Sequence, residues 1–255
     1  MLKRKIEEQF MKWKRTPGRK PLIVRGVRQC GKTFSVTAFA ESNYENVVYV
    51  NFVKQESLKL AFKGAKDVDT ILMNLSASMR GVKFIPGSTC IILDEIQDCK
   101  DARTALKFFK MDGRYDIIAT GSLLGVKGYG DDKKKKKEEE KTASVPVGYE
   151  KIVDMYPLDF EEFLWALDAD GVMQLIRKRF ADRVPMGQQD HRMVMELFRQ
   201  YLVIGGMPQA VEAFSRGRDL ASAEKVKRVI LGLYQDDIGK FAGRYKQKVR
   251  AIWSN

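Results

Sequence analysis

Short apolar runs of strand length alternate with helical patterns through the first part of the chain. Pro21-Leu22-Ile23-Val24, Val47-Val48-Tyr49-Val50-Asn51-Phe52, Cys90-Ile91-Ile92-Leu93, Asp116-Ile117-Ile118-Ala119-Thr120-Gly121-Ser122 and Ile152-Val153-Asp154-Met155-Tyr156 are the runs. Between them, Phe34 to Glu41, Asp69 to Arg80 and Asp101 to Lys110 read as helices, the last with Ala102, Ala105, Leu106 and Phe109 on one side. Strands alternating with helices predict an α/β fold, a parallel sheet with helices on both faces. Beyond Tyr156 no strand pattern follows. Asp159 and Glu162 form an N-terminal capping pair for a helix carrying Phe160, Phe163, Leu164 and Leu167. Met193/Val194, Leu197/Phe198 and Tyr201/Leu202 then recur every fourth residue, as do Val226, Ile230 and Tyr234. The pattern predicts two parts, an α/β core over residues 1–165 and an all-helical lid over 166–255.

Directly after the first apolar run stands Gly26-Val27-Arg28-Gln29-Cys30-Gly31-Lys32-Thr33, which is G-x-x-x-x-G-K-T. The glycines let such a loop turn its backbone N–H groups inward on phosphate oxygens, and the following helix adds its positive N-terminal end. Lys32 is then expected to reach the β and γ phosphates and the Thr33 hydroxyl to hold Mg²⁺. Gly26, Val27, Arg28, Gln29, Cys30, Gly31, Lys32, Thr33 and Phe34 are the candidate nucleotide-binding positions here. For Arg28 a phosphate contact and a loop-stabilising salt bridge stand equal. The third run ends in Asp94-Glu95. Ligands of parallel α/β sheets bind at the carboxyl ends of the strands, so Asp94 is the expected Mg²⁺ partner and Glu95 the general base on water. The alternative use of acids there is to cap a helix. At the end of the fourth run, Ser122 is the first choice and Thr120 the second for a hydroxyl that orients the water or meets the γ-phosphate.

Five segments share an order and spacing with a known family: Gly26 to Thr33, Ile92-Leu93-Asp94-Glu95-Ile96-Gln97, Thr120-Gly121-Ser122, Tyr156-Pro157-Leu158-Asp159-Phe160-Glu161-Glu162-Phe163, and Gly205-Gly206-Met207-Pro208. From about residue 13 onward the chain resembles a bacterial and archaeal family of AAA-type P-loop ATPases with a C-terminal domain of unknown function. The resemblance implies ATP and Mg²⁺ as cofactors and hydrolysis as the activity; adenine preference comes from it alone. Gly206-Met207-Pro208 is similar to the glycine-x-proline element of signal-transducing ATPases, in which the proline lies against the nucleotide. A helix break followed by a helix start is the plainer reading of the same residues. An arginine finger is expected by analogy, with Arg244 and Arg250 as candidates, and the family pattern runs on past Asn255.

Charge and composition narrow the remaining choices. The 255 residues carry a net charge of +13 and suffice for one large or two smaller domains. Residues 1–20 hold eight Lys/Arg against Glu7 and Glu8, and residues 216–250 hold ten against four acids, so each end is +6. Such ends suit nucleic acid, anionic partners or the phosphates of ATP, yet no nucleic-acid-binding motif accompanies them. Asp131 to Lys141 is a glycine-bounded charge run whose six lysines and five acids leave +1, expected to be a solvated insertion at about 127–145. No apolar stretch approaches the ~20 residues that cross a bilayer, and the N-terminus lacks a signal-peptide core, so a cytoplasmic location is expected. Cys30, Cys90 and Cys99 show no metal-ligand spacing. The single histidine, His191, excludes a Ser-His-Asp triad and a multi-histidine zinc site within this chain. The expected activity is Mg²⁺-dependent ATP hydrolysis, with partners limited to ATP/ADP, a protein or a second copy, and nucleic acid. The competing class is a nucleotide-held switch with little turnover; a small-molecule kinase is third, because the paired acids favour water as acceptor.

Overall fold

The computed structural model describes residues 2–122, 148–241 and 245–254. They form two compact units, one over Lys5–Tyr156 and the other over Pro157 to the C-terminus with the first four residues. The division falls ahead of the boundary expected near 165, because the helix at 160–166 shares its core with Ile204, Val211 and Phe214. The expected insertion at 127–145 and Arg244 lie outside the described residues, as does the side chain of Arg250.

Among the described residues the first unit is built on five parallel strands: β1 (Leu22–Gly26), β2 (Asn46–Asn51), β3 (Thr89–Asp94), β4 (Asp116–Ser122) and β5 (Lys151–Met155). Their order across the sheet is β2-β3-β4-β1-β5, so the fourth strand in the chain lies between the first and the third. Alternation within each strand feeds two cores. Ile23, Val50, Ile91, Leu93, Ile117 and Ala119 face α3 (Val68–Ser78) and α4 (Lys100–Asp112). Leu22, Val24, Cys90, Ile92, Ile118, Val153 and Met155 face α1 (Ile6–Lys14) and α2 (Lys32–Asn43). With apolar residues on both faces the central strands β1, β3 and β4 carry unbroken apolar runs, the mark of a parallel sheet covered on both sides. The five expected strands and three expected helices are present. Helix α1 was missed, although Ile6, Phe10 and Trp13, all buried, recur on one helical face.

The second unit is helical among the described residues: α5 (Phe160–Ala166), α6 (Asp170–Asp182), α7 (Gln188–Ile204), α8 (Pro208–Gly217), α9 (Leu220–Phe241) and α10 (Lys246–Ser254). Asp159 and Glu162 close the expected capping box at α5. Glu162 also accepts from Arg4 Nε at 3.1 Å in a buried pair, tying the first residues of the chain to this unit. Leu158, Phe163, Ile204, Val211 and Phe214 make its core, with the rings of Phe163 and Phe214 stacked. None of the helices among the described residues is long and apolar enough to cross a membrane.

Candidate nucleotide site

All five strands run the same way, so the loop after β1 and the acid ending β3 come to one edge of the sheet, separated by β4. The loop holds two residues in the left-handed region, Gln29 (φ 64°) and Gly31 (φ 93°). Left-handed residues interleaved with right-handed ones turn successive N–H groups to one side, which is the conformation that cradles anions. Gly31 tolerates this without a Cβ, and α2 starts at Lys32. Gly26 serves another purpose. A Cβ there would stand 2.2 Å from the backbone oxygen of Met155, so its missing side chain lets β5 pass directly beside the loop. Cys30 is buried, with Sγ 3.7 Å from that same oxygen, so its thiol points into the core and away from solvent.

Lys32 Nζ donates to the carbonyls of Gly26 at 3.0 Å and Val27 at 2.8 Å, which holds the ammonium over the loop. Thr33 Oγ1 lies 3.1 Å from Asp94 Oδ1 and 3.3 Å from Oδ2, joining the first turn of α2 to the end of β3. Val27 and Arg28 are half-buried in the loop, and Gln29 is exposed. Phe34, on the next position of α2, is 59% exposed.

Asp94 is 3% exposed and is the centre of the site's hydrogen bonding. Besides Thr33, Thr120 Oγ1 donates to Oδ1, and the Tyr49 hydroxyl and Asn51 Nδ2 (2.8 Å) donate to Oδ2. Burial, and next the bond to Asp94, push the Tyr49 phenol up to about 12, so at neutral pH it keeps its proton and donates. Neither Tyr49 nor Asn51 was foreseen. Their signal was present, as two polar residues alternating with Val48 and Val50 at the carboxyl end of an otherwise apolar strand.

Neither acid serves as a helix cap. Glu95 stands at the start of the short 3₁₀ turn Ile96–Asp98 but makes no side-chain capping bond. Its backbone is left-handed (φ 56°), sparsely populated for a residue with a side chain, and its carboxylate accepts from Gln97 Nε2 at 2.5 Å. Of the two hydroxyls at the end of β4, it is Thr120, the second choice, that meets Asp94. Ser122 pairs in register with Gly26, at the start of the phosphate loop.

The donors near Asp94 suit a hard cation. One carboxylate and one hydroxyl oxygen stand side by side, and among the described residues no group of three His, Cys, Asp or Glu could enclose an ion. Mg²⁺ is commonly held in this way, by one or two protein oxygens with phosphate and water completing the shell. Pro208 belongs to the other unit, where it opens α8 at a position suited to proline. Gly205 ends α7 at φ 77°, and a Cβ on Gly206 would lie 2.1 Å from the oxygen of Leu158, whose N–H donates to Gly206 O at 2.7 Å. The glycine pair therefore brings two of the family-like segments together.

Residues 18–164 match a family model described as an AAA domain. The chain belongs to the AAA domain family. Residues 195–255 match a second model, a domain of unknown function. An uncharacterized protein of Haemophilus influenzae is 23% identical over 199 residues, 75% of this chain and 40% of that protein, so the chain spans less than half of that relative. Among solved structures, a Walker-type ATPase of Pyrococcus abyssi aligns with a TM-score of 0.50 and 14% identity, covering 97% of this chain and 77% of its own. Drosophila ORC bound to DNA aligns with a TM-score of 0.46 and 13% identity over 86% of this chain and 59% of its own. The Pyrococcus likeness is one of fold. Family and fold together support nucleotide binding and ATPase activity as the general class.

Proposed function

We propose that this AAA-family chain binds ATP with Mg²⁺ and hydrolyses the β–γ bond, with the sheet-containing unit as catalytic core and the helical unit as lid. The observation that carries the reading is the contact between Thr33 of the phosphate loop and Asp94 at the end of β3. It joins the two groups that such chemistry needs side by side. Gly26 to Phe34 cradle the triphosphate, and Lys32 exchanges its two carbonyl partners for β and γ oxygens. Thr33 and Asp94 are the residues that would hold Mg²⁺, which when bound neutralises charge on the phosphate oxygens. Glu95 takes a proton from the attacking water, and Ser122 senses the γ-phosphate. Pro208 borders the base or ribose. A cytoplasmic location, a protein partner or second copy, and an arginine finger from outside the described side chains complete the proposal.

A second reading has one observation in its favour. Gln97 already occupies the Glu95 carboxylate, which suits a nucleotide-held switch that turns over slowly. Hydrolysis of prebound ATP separates the two. The Gln side chain keeps the shape of Glu95 but cannot accept a proton, and general-base help is worth ~10²–10⁴ in rate. Glu95→Gln should therefore bind MgATP like the parent and cleave it at least about a hundredfold more slowly in a single turnover. Equal rates would leave the switch as the better description.

A further inference from the structure

The Asp94 carboxylate is held by more donors than orientation alone requires. Thr33 and Thr120 give hydroxyl hydrogens to Oδ1, while Asn51 Nδ2 and the Tyr49 hydroxyl donate to Oδ2. A carboxylate offers about four lone-pair directions, so protein groups fill essentially all of them. A hydrated divalent cation approaches such a carboxylate by aiming the hydrogens of its bound water at the same lone pairs. At least one protein donor must then give way.

The four differ in their freedom to do so. Thr120 is fully buried. Asn51 is 5% exposed and fixed by the turn after β2, since its Oδ1 accepts from the N–H groups of Val53 at 3.0 Å and Lys54 at 2.7 Å. Its own N–H donates to Gln55 Oε1 at 3.1 Å. Thr33 can offer an oxygen lone pair to a cation while still giving its hydrogen to Asp94. Tyr49 is half-buried on β2, and besides Asp94 its hydroxyl meets only Asn51 Nδ2, at 3.2 Å, among the hydrogen bonds of the described residues.

We propose that Tyr49 is the donor that yields: a positioning residue whose hydroxyl competes with metal-bound water for Asp94 Oδ2 and so sets the Mg²⁺ concentration that nucleotide binding requires. The inference rests on the proposed use of Thr33 and Asp94 for Mg²⁺. Tyr49→Phe removes the hydroxyl and keeps the ring. ADP binding is measured by calorimetry across a buffered Mg²⁺ series, and melting temperature is followed across the same series. The Mg²⁺ concentration for half-maximal ADP binding should fall roughly 10- to 100-fold in Tyr49→Phe, the size expected for one lost hydrogen bond to a charged group. The Mg²⁺-dependent rise in melting temperature should begin at correspondingly lower concentration. Tyr49→Leu is the second variant and carries the same expectation. An unchanged or increased requirement in Tyr49→Phe, with the parent showing Mg²⁺-dependent binding, overturns the role of Tyr49 alone. Parent protein that binds ADP identically with and without Mg²⁺ overturns the metal reading, and Tyr49 with it.

Discussion

A glycine and a lysine six residues apart in one loop do different work, and substitution should separate them. The absent Cβ of Gly26 makes room for the Met155 carbonyl on β5. Gly26→Ala must push that strand or the loop aside, and overpacking of this kind costs about 1–3 kcal/mol, so denaturant midpoint and nucleotide affinity should fall together. Lys32 instead meets only loop carbonyls among its hydrogen bonds in the described residues. Lys32→Ala should leave the melting temperature within a few degrees of the parent, a stability change of about 0.5–1 kcal/mol, yet largely abolish ATP binding in calorimetry. Unchanged affinity would sink the phosphate-loop reading. At this scale the sequence exposed residues whose chemistry follows from a fixed spacing, Lys32, Thr33, Asp94 and Glu95. It marked Tyr49 and Asn51 only as an alternating polar pair on β2, because their partner Asp94 is reached across strand pairing and no local spacing encodes that.

Elements were legible where one period ran without interruption. The strands β1 to β4 each centre on an apolar run, and the box of Asp159 and Glu162 marks the start of α5 by two reciprocal bonds. Helix α1 was masked by its charges: three buried side chains, Ile6, Phe10 and Trp13, stand among lysines and glutamates that draw attention to net charge. The segment Gly205-Gly206-Met207-Pro208 shows what pattern alone leaves open. Gly205 turns the chain, Gly206 admits Leu158 and Pro208 opens α8, which explains the residues structurally without a nucleotide. The two roles make different predictions. Gly206→Ala would place its Cβ 2.1 Å from the Leu158 oxygen and should destabilise the helical unit by at least about 1–3 kcal/mol. Pro208→Ala stays compatible with a helix start, so its stability change should remain within about 1 kcal/mol. If Pro208 also borders the nucleotide, Pro208→Ala loosens ADP in calorimetry while its melting temperature stays near that of the parent. Equal ADP affinity would leave Pro208 as a helix start and nothing more.

For the whole molecule, the +13 charge invites a nucleic-acid role that the folded chain tempers. Several of the N-terminal cations have intramolecular work. Arg4 is buried against Glu162, Arg19 pairs with Asp116, Lys3 lies over the Trp165 ring, and Lys14 donates to the Asn43 carbonyl. Toward the other end, Arg216 pairs with Glu212, and Lys227 and Arg228 share Glu224. Exposed pairs of the latter kind are weak and phosphate can displace them; the buried Arg4 pair cannot be opened without stranding Glu162. Counting charge along the sequence therefore overstates what is available to a polyanion. Each phosphate neutralised on duplex DNA adds about 0.9 to the slope of log affinity against log salt. A slope no steeper than about −3 is expected, with binding lost near physiological salt, in a fluorescence titration of a short duplex at stepped ionic strength. Arg19→Ala should leave that slope unaltered, since its charge is paired with Asp116. A slope beyond about −6 would mean that the two basic ends neutralise phosphates in concert, and DNA would then replace a protein as the proposed partner of this chain.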